Sequence, residues 1–318
     1  MTIDYAVLDD LERLSFALRT IYMRAGYARY RMGKFEEYDF YSRNKDFLIS
    51  DNIITFVDTN GRLMALKPDV TLAIVKNRKD DPATLQKLCY DENVYRVSKT
   101  TGSFMEIRQA GLECIGSVDM GCVGEVLSLA ADSLEACVAD YVLEVSHLDI
   151  LSAFLARITD DGSVRRSLLQ AVSEKNLHGI AAVCGENGIP GKAAEPLCRL
   201  LELSGPFEEV LPPLEELCGP MDLDGELRDL RTALGVFAGS PRAGKVQLDF
   251  SAVSDMNYYN GLIFRGFLSS LPGSVLSGGQ YDNLMRRLRR RSGAVGFAVY
   301  LDQIARLDRS GGEEAEGC

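Results

Sequence analysis

The sequence contains no tryptophan, only two histidines and no closely spaced pair of cysteines. Its eight cysteines are scattered without a Cys-x-x-Cys motif, and neither His147 nor His178 lies among residues with the spacing of metal ligands. We therefore expect no metal site, and the scarcity of histidine argues against a Ser-His-Asp or Cys-His hydrolase. Because most of the cysteines fall in apolar segments, we expect them to be reduced and to pack as small hydrophobic residues.

Long apolar runs and phosphate-binding glycine loops are missing as well. No apolar stretch reaches the roughly 20 residues of a membrane helix. The N-terminal segment carries charges throughout instead of a signal-peptide core. The Gly278-Gly279 pair is not a dinucleotide fingerprint, and no GxxxxGK[ST] loop occurs. We expect a cytoplasmic protein that contacts no membrane and carries no cofactor.

Positive charge is scarce, since 35 Lys and Arg residues stand against 46 Asp and Glu residues, for a formal net charge of −11. This balance disfavours a polyphosphate backbone as the main partner. A basic run nevertheless stands out near the end of the chain, formed by Arg286, Arg287, Arg289, Arg290 and Arg291. It is interpreted either as a patch that binds phosphate or an acidic partner, or as the solvated face that charge runs commonly form.

The 46% hydrophobic and 25% charged residues are typical of a globular domain, and hydrophobic periodicity gives its elements. We predict helices over residues 4–24, 122–138 and 148–157, and mostly helical structure over 160–238. Residues 33–51 are predicted to form a loop that leads into a hairpin, in which the strand 53–58 is closed by the turn Asn60-Gly61. Further strands are predicted over 86–97, 104–116, 141–146, 245–250, 258–268 and 294–301. A further helix opens at Lys67-Pro68-Asp69, with Pro68 in its first turn and Asp69 complementing its dipole. This order lacks an alternating βα repeat and predicts an α+β domain with a mainly antiparallel sheet.

The same periodicity divides the chain into four parts. Residues 1–158 and 241–308 are predicted to form the two halves of one core. Residues 159–240 are predicted to be a helical insertion between them, because leucines recur there at helical spacing and β-branched runs are few. Residues 309–318 are polar and are expected to form a mobile tail.

Polar residues on the predicted strand 104–116 form a candidate binding surface. Gln109, Gly111 and Glu113 share one face because side chains alternate along a strand. The α-carbons of Gln109 and Glu113 lie about 13 Å apart at the usual strand rise. Gly111 between them has no side chain, which leaves room for a small polar ligand. The alternative is an ordinary solvated sheet face. Tyr259 and Gly261 likewise share a face that either contacts a ligand or packs closely.

Five collinear motifs resemble the catalytic domain of histidyl-tRNA synthetases, over about residues 4–307. They are Leu66-Lys67-Pro68-Asp69-Val70-Thr71, Val94-Tyr95-Arg96, Gln109-Ala110-Gly111-Leu112-Glu113-Cys114-Ile115-Gly116, Tyr258-Tyr259-Asn260-Gly261, and Gly278-Gly279-Gln280-Tyr281-Asp282-Asn283-Leu284 with Ala294-Val295-Gly296-Phe297-Ala298. The resemblance implies the class II aminoacyl-tRNA synthetase-like fold, an antiparallel sheet flanked by helices with a helical insertion.

The ATP-binding positions of that family are altered in this chain. In the second signature motif Arg96, the residue that holds the α-phosphate, is kept, but Ser98 replaces the glutamate and Ile107 the phenylalanine that contact adenine. Ser254 stands in place of the family's catalytic arginine, and Asp302-Gln303 replaces a Glu-Arg pair, which removes a second arginine. We expect adenylation to be abolished, because each lost charge-assisted contact is worth roughly 1.5 to 3 kcal/mol.

A synthetase-like chain without ATP contacts is similar to the family of regulatory subunits of ATP phosphoribosyltransferase. That resemblance implies no catalysis of its own, a short-form catalytic subunit as partner, a hetero-octamer around a homodimer core, and histidine feedback in the first step of histidine biosynthesis. Lys67 departs from that family's usual arginine. The anticodon-binding domain is expected to be absent, and with it any role for tRNA.

The resemblance also places the amino-acid end of the old site on residues that this chain keeps. By resemblance they surround histidine, and they are Asp69, Thr71, Gln109, Glu113, Tyr258 and Tyr259. Histidine is expected to bind there or at an interface with the catalytic subunit, and Arg96 is expected to remain as a phosphate contact. Two alternatives stay open: an ATP-dependent ligase that acts without tRNA, and a pure scaffold with a vestigial pocket.

Overall fold

The computed structural model describes residues 7–44, 53–98, 100–253 and 258–305. The helices are α1 Asp10–Arg24, α2 Tyr38–Arg43, α3 Val70–Asn77, α4 Met120–Cys137, α5 Leu148–Ile158, α6 Gly162–Ser173, α7 Leu177–Glu186, α8 Gly191–Glu202, α9 Phe207–Cys218, α10 Asp224–Leu234, α11 Asp282–Arg287 and α12 Leu301–Ile304. The strands are β1 Ala28–Arg29, β2 Phe35–Glu37, β3 Thr55–Val57, β4 Leu63–Leu66, β5 Gln86–Val97, β6 Phe104–Gly116, β7 Tyr141–His147, β8 Ser204–Pro206, β9 Val246–Asp249, β10 Asn260–Leu268, β11 Ser274–Gln280 and β12 Gly293–Tyr300. No helix in these ranges is long and apolar enough to cross a bilayer.

The first helix begins later than its hydrophobic pattern predicts. A capping box starts α1 at Asp10: the Asp9 side chain accepts from the Glu12 amide, and the Glu12 side chain accepts from the Asp9 amide. The two side chains satisfy the backbone N–H groups of Asp9 and Glu12, which have no acceptor within the helix, and this fixes the start of the helix at Asp10. The predicted start at residue 4 lies outside the described residues, and residues 8 and 9 are not helical.

The central sheet has the order β1-β5-β6-β12-β11-β10-β7-β9-β8. Its pairs are antiparallel except β1 with β5 and β7 with β9, so the predicted α+β fold with a mainly antiparallel sheet is confirmed. The predicted hairpin is confirmed residue for residue as β5 and β6. Strand β11 was not predicted, because its Gly278-Gly279 pair has low strand propensity by itself.

The segment before α3 contains more structure than the predicted loop. Residues 35–43 form β2 and α2, and β2 joins β4 and β3 in a small separate sheet. The predicted turn at Asn60-Gly61 does connect the antiparallel strands β3 and β4. The rest of the predicted loop, residues 45–51, lies outside the described residues.

Two apolar clusters lie on opposite faces of the central sheet. Leu112 and Phe297 point into a large cluster with α1 and α4, which contribute Leu18 and Val126. The opposite face carries Ile115 and the residues of α3 and α11 that pack on it. Because alternate strand residues face opposite ways, Glu113 shares the second face with Ile115. The candidate site is therefore formed between this face of the sheet and α3.

Helices α6 to α10 occupy most of the predicted insertion, but this segment is not helical throughout. Its residues Ser204–Pro206 form β8, which pairs with β9 at the edge of the central sheet. The division at residues 158 and 240 stays a prediction, and the tail 309–318 lies outside the described residues. Four of the cysteines, Cys89, Cys114, Cys184 and Cys218, are buried and unpaired, as the apolar character of their segments predicted.

Candidate functional site

A cavity of about 280 Å³ lies between α3 and the face of the central sheet that carries Glu113. It brings together every residue that sequence reasoning assigned to the site: Asp69, Thr71, Arg96, Gln109, Glu113, Tyr258 and Tyr259. Side chains that were not predicted also line it, among them Tyr90, Arg265, Ser277, Tyr281 and Tyr300. The predicted alternative of a solvated sheet face is wrong, because Gln109 and Glu113 are almost fully buried.

The predicted space above Gly111 is filled. Tyr90 lies opposite Gly111 in the β5–β6 ladder, and its hydroxyl donates to the Phe297 carbonyl at 3.3 Å. A β-carbon at position 111 would lie 2.2 Å from the Phe297 oxygen and 2.5 Å from the Tyr90 hydroxyl. Glycine is thus required at position 111 for close packing of the strands. The prediction that Gly111 leaves room for a ligand was wrong.

Glu113 is the most deeply buried acid of the cavity and is held by two hydroxyl groups. Thr71 donates to its Oε1 at 2.6 Å, and Tyr281 donates to its Oε2 at 2.6 Å. Burial raises the pKa of Glu113 to about 8, because the charged form loses its hydration, and these two bonds oppose the rise. Tyr281 was missed although its motif was noted, since nothing in the sequence relates it to Glu113.

The raised pKa of Glu113 predicts a stability that falls with pH. The unfolded carboxyl loses its proton near its ordinary pKa of 4.5, whereas the folded carboxyl keeps it up to a pKa of about 8. Between these values the folded state binds more protons, so rising pH favours unfolding. We expect Glu113→Gln to gain about 2 kcal/mol over the wild type between pH 6.5 and pH 8, at about 1.4 kcal/mol per pH unit.

Urea unfolding of both proteins across this range checks the prediction. Burial lowers the pKa of His147 to about 4, and this raises stability with pH only up to its ordinary pKa of 6.5. Above pH 6.5 the His147 contribution no longer changes with pH, and the difference between the two proteins reports on Glu113. Parallel stability curves for the two proteins would contradict the assignment.

Asp69 and Arg96 form the second charged part of the cavity. Asp69 is the N-cap of α3 and accepts from the Leu72 amide at 2.8 Å, so Pro68 precedes the helix and does not lie in its first turn as predicted. Burial raises the pKa of Asp69, and nearby Arg96 opposes this rise. Arg96 donates through Nε to the Pro68 carbonyl at 3.1 Å and lies 3.9 Å from the Asp69 carboxylate. Its donors are therefore partly engaged by the loop before α3.

Three tyrosines form an aromatic wall of the cavity. The ring centroids of Tyr258 and Tyr259 are 4.5 Å apart, and those of Tyr258 and Tyr281 are 6.0 Å apart. Their faces and edges suit a flat ring or a cation, for which aromatic walls are a common recognition element. Residues 254–257, which precede this wall, lie outside the described part of the chain. The sequence prediction for Ser254 falls on one of them.

The substituted residues at the former ATP positions are bonded within the chain itself. The Ser98 hydroxyl accepts from the Thr101 amide in the β5–β6 turn, at 3.2 Å. Asp302 accepts from the Arg108 amide of β6 at 2.5 Å. Ile107 packs against the apolar cluster beneath α3. Ser98 and Ile107 therefore contact the chain itself at the two positions where the family contacts adenine.

The arginine run lies apart from the cavity, at the end of α11 and in the loop that follows. Arg290 donates to the Val75 carbonyl at 3.2 Å, and the Arg291 backbone amide donates to Asp80 at 2.9 Å. Arg286 and Arg289 are exposed. The run therefore includes residues that fix the local loop as well as exposed ones, and its role as a docking patch stays a prediction.

Comparison with known proteins gives consistent results. The family model described as histidyl-tRNA synthetase matches residues 6–304. A protein of Clostridium kluyveri named ATP phosphoribosyltransferase regulatory subunit is 29% identical over 296 residues, which cover 90% of this chain and 75% of that protein.

Solved structures share the fold. One from Bacillus halodurans, described as an ATP phosphoribosyltransferase regulatory subunit/histidyl-tRNA synthetase, has a TM-score of 0.79 at 24% identity and covers 95% of this chain and 80% of its own. A chain of the ATP phosphoribosyl transferase (HisG:HisZ) complex from Thermotoga maritima has a TM-score of 0.72 at 20% identity and covers 94% of this chain and 98% of its own. The predicted class II synthetase-like fold is confirmed.

Proposed function

Because the chain belongs to the histidyl-tRNA synthetase family, we propose that it retains the fold of that family and serves as the non-catalytic regulatory subunit of ATP phosphoribosyltransferase. Two curated relatives that each match 90% of this chain carry this name. The observation that carries the proposal is the uneven preservation of the site. The acidic, amide and tyrosine groups remain together in one cavity, whereas the ATP positions hold residues that bond to the chain itself.

The altered positions support a role without adenylation. A synthetase must hold a triphosphate and stabilise charge at the reacting phosphate, and removal of one such donor costs about 100- to 1,000-fold in rate. Ser254 and Gln303 supply no positive charge where the family has arginines. The remaining cation, Arg96, is our candidate for a residual phosphate contact, although Pro68 and Asp69 already engage it.

The preserved end of the cavity suits free histidine as a feedback ligand. We assign the amino group and imidazole of histidine to Asp69, Thr71, Gln109 and Glu113, and the ring to Tyr258 and Tyr259. The volume of about 280 Å³ lies just below the common range for drug-sized ligands and is suited to a single amino acid. Asp69 and the ionised form of Glu113 supply the negative charge that a protonated amine or imidazole needs.

The proposed assembly has the short-form catalytic subunit as its partner, in a cytoplasmic hetero-octamer built around a homodimer of this chain. A chain of similar fold occurs in a complex described as ATP phosphoribosyl transferase (HisG:HisZ), which supports a catalytic partner. The exposed arginines 286 and 289 are candidate docking residues for an acidic surface of that partner. We propose no role for tRNA.

The test is the phosphoribosyltransferase rate of a short-form catalytic subunit, measured with and without this chain and then titrated with histidine. We expect a large increase in rate on addition of the chain, and inhibition by histidine that requires it. No activation and no co-elution of the two proteins would overturn the proposal and favour the ATP-dependent ligase instead. Activation without histidine inhibition would support the scaffold alternative.

A further inference from the structure

Arg265 lines the cavity from the strand farthest from Glu113. It lies on β10 in a row of paired residues that crosses the sheet through Ser277 of β11 and Ala298 of β12 to Gly111 of β6. Paired residues of neighbouring antiparallel strands share a face, so Arg265 projects on the same side as Glu113. The two residues between Arg265 and Gly111 are small, which leaves open space over the sheet for the arginine side chain.

The guanidinium of Arg265 is held in place but keeps a free donor. One Nη donates to Glu144 of β7 at 2.7 Å, and the guanidinium lies 5.8 Å from the centre of the Phe267 ring. Its Nε is buried and has no hydrogen-bond partner among the described residues. An arginine offers five N–H donors in a planar fork that matches a carboxylate. The buried Nε is closed to a ligand, because no solvent-sized group reaches it, so the donors available in the cavity are the Nη–H groups that do not bond to Glu144.

The cavity is therefore polarised along its length. Asp69 and Glu113 supply acid groups at one end, and Arg265 supplies a cation at the other. Strands β6 and β10 are separated by three strand spacings of about 4.8 Å, or roughly 14 Å between their backbones. Because the side chains of Glu113 and Arg265 both project into this space, the distance left between their charged groups is about the length of one amino acid. Arg96 does not compete for the same role, since the Pro68 carbonyl and Asp69 engage it on the opposite side.

We propose that Arg265 binds the α-carboxylate of the amino acid in this cavity, and so makes the site selective for free amino acids over amines. The inference rests on the proposed function, because it takes the histidine site as given. Glu144 and the Phe267 ring hold the guanidinium ready, and its remaining Nη–H groups donate to the carboxylate. The acid groups at the far end then receive the positively charged groups of the ligand.

Calorimetric titration of the full chain with L-histidine and with histamine, which lacks the carboxylate, tests this assignment. We expect Arg265→Lys to weaken histidine binding by about 10-fold or more, because lysine keeps the charge near Glu144 but loses the fork. Histamine affinity should change by less than about 2-fold, the usual limit for independent effects. The matched control is Arg231→Lys, an exposed arginine paired with Glu215 far from the cavity, which should alter neither affinity.

Equal losses for histidine and histamine, or no loss for either, would overturn the role of Arg265. A wild-type chain that binds neither ligand would also overturn it, together with the histidine assignment of the cavity. The regulatory function is judged separately by activation of the catalytic subunit, so its failure is distinguishable from the failure of this inference. Thermal unfolding of Arg265→Lys shows whether the variant is folded, and Arg265→Gln provides a second variant without charge.

Discussion

The double substitution Gln109→Met and Glu113→Gln is expected to raise the histidine concentration for half-inhibition by about 100-fold at pH 8, from one lost charge-assisted contact and one neutral hydrogen bond. Both side chains line the cavity and are almost fully buried, so water compensates poorly for the lost contacts. The pH matters because Glu113, with its pKa raised to about 8, must be ionised to attract a cationic ligand. The replacements preserve side-chain length and approximate volume, so the effect reports on lost polarity.

The measurement is the ratio of phosphoribosyltransferase rates with and without histidine, for the same preparation of the complex. A matched control exists on α6, where Gln170 and Glu174 have the same residue types and the same spacing but are exposed and hydrogen-bonded to each other. Gln170→Met with Glu174→Gln should leave the half-inhibition concentration unchanged. A cavity variant inhibited at the wild-type concentration would place the histidine site at a subunit interface, away from this cavity.

The substitution Gly111→Ala is expected to destabilise the folded chain by about 1–3 kcal/mol, the usual cost of overpacking. The added methyl group would lie 2.2 Å from the Phe297 carbonyl oxygen, which is backbone and can move only if β12 shifts. It would also displace the Tyr90 hydroxyl, which donates to that same oxygen. A glycine that merely left space for ligand would instead accept the methyl group at no cost.

Urea unfolding monitored by circular dichroism gives the comparison. Gly225→Ala is the control, because a β-carbon at position 225 in helix α10 meets no atom within 4 Å. That substitution should stabilise the chain by about 0.5–1 kcal/mol, since alanine is the better helix former. Opposite signs for the two variants would confirm that the close packing around Gly111 is a structural requirement. Stabilisation by Gly111→Ala would rule it out.

Local patterns were sufficient to predict most of the elements and much of the site. The β5–β6 hairpin was predicted at its observed bounds, because residues rich in strand propensity flank a short polar turn and the pairing is local. The shared face of Gln109 and Glu113 was predicted because side chains alternate between the two faces of a strand, with a period of two residues. The late start of α1 was missed, since the cap formed by Asp9 and Glu12 competes with a hydrophobic pattern that continues past it.

The sequence by itself determined which residues share a strand face and, through motifs in the family order, which residues belong to one site. Only the tertiary structure decided what each of them contacts. Tyr281 reaches Glu113 across 168 residues of chain, and Arg265 joins the cavity only because β11 and β12 lie between β10 and β6. Strand order, burial and the filling of space over Gly111 arise from contacts between distant segments, and no local pattern encodes such contacts.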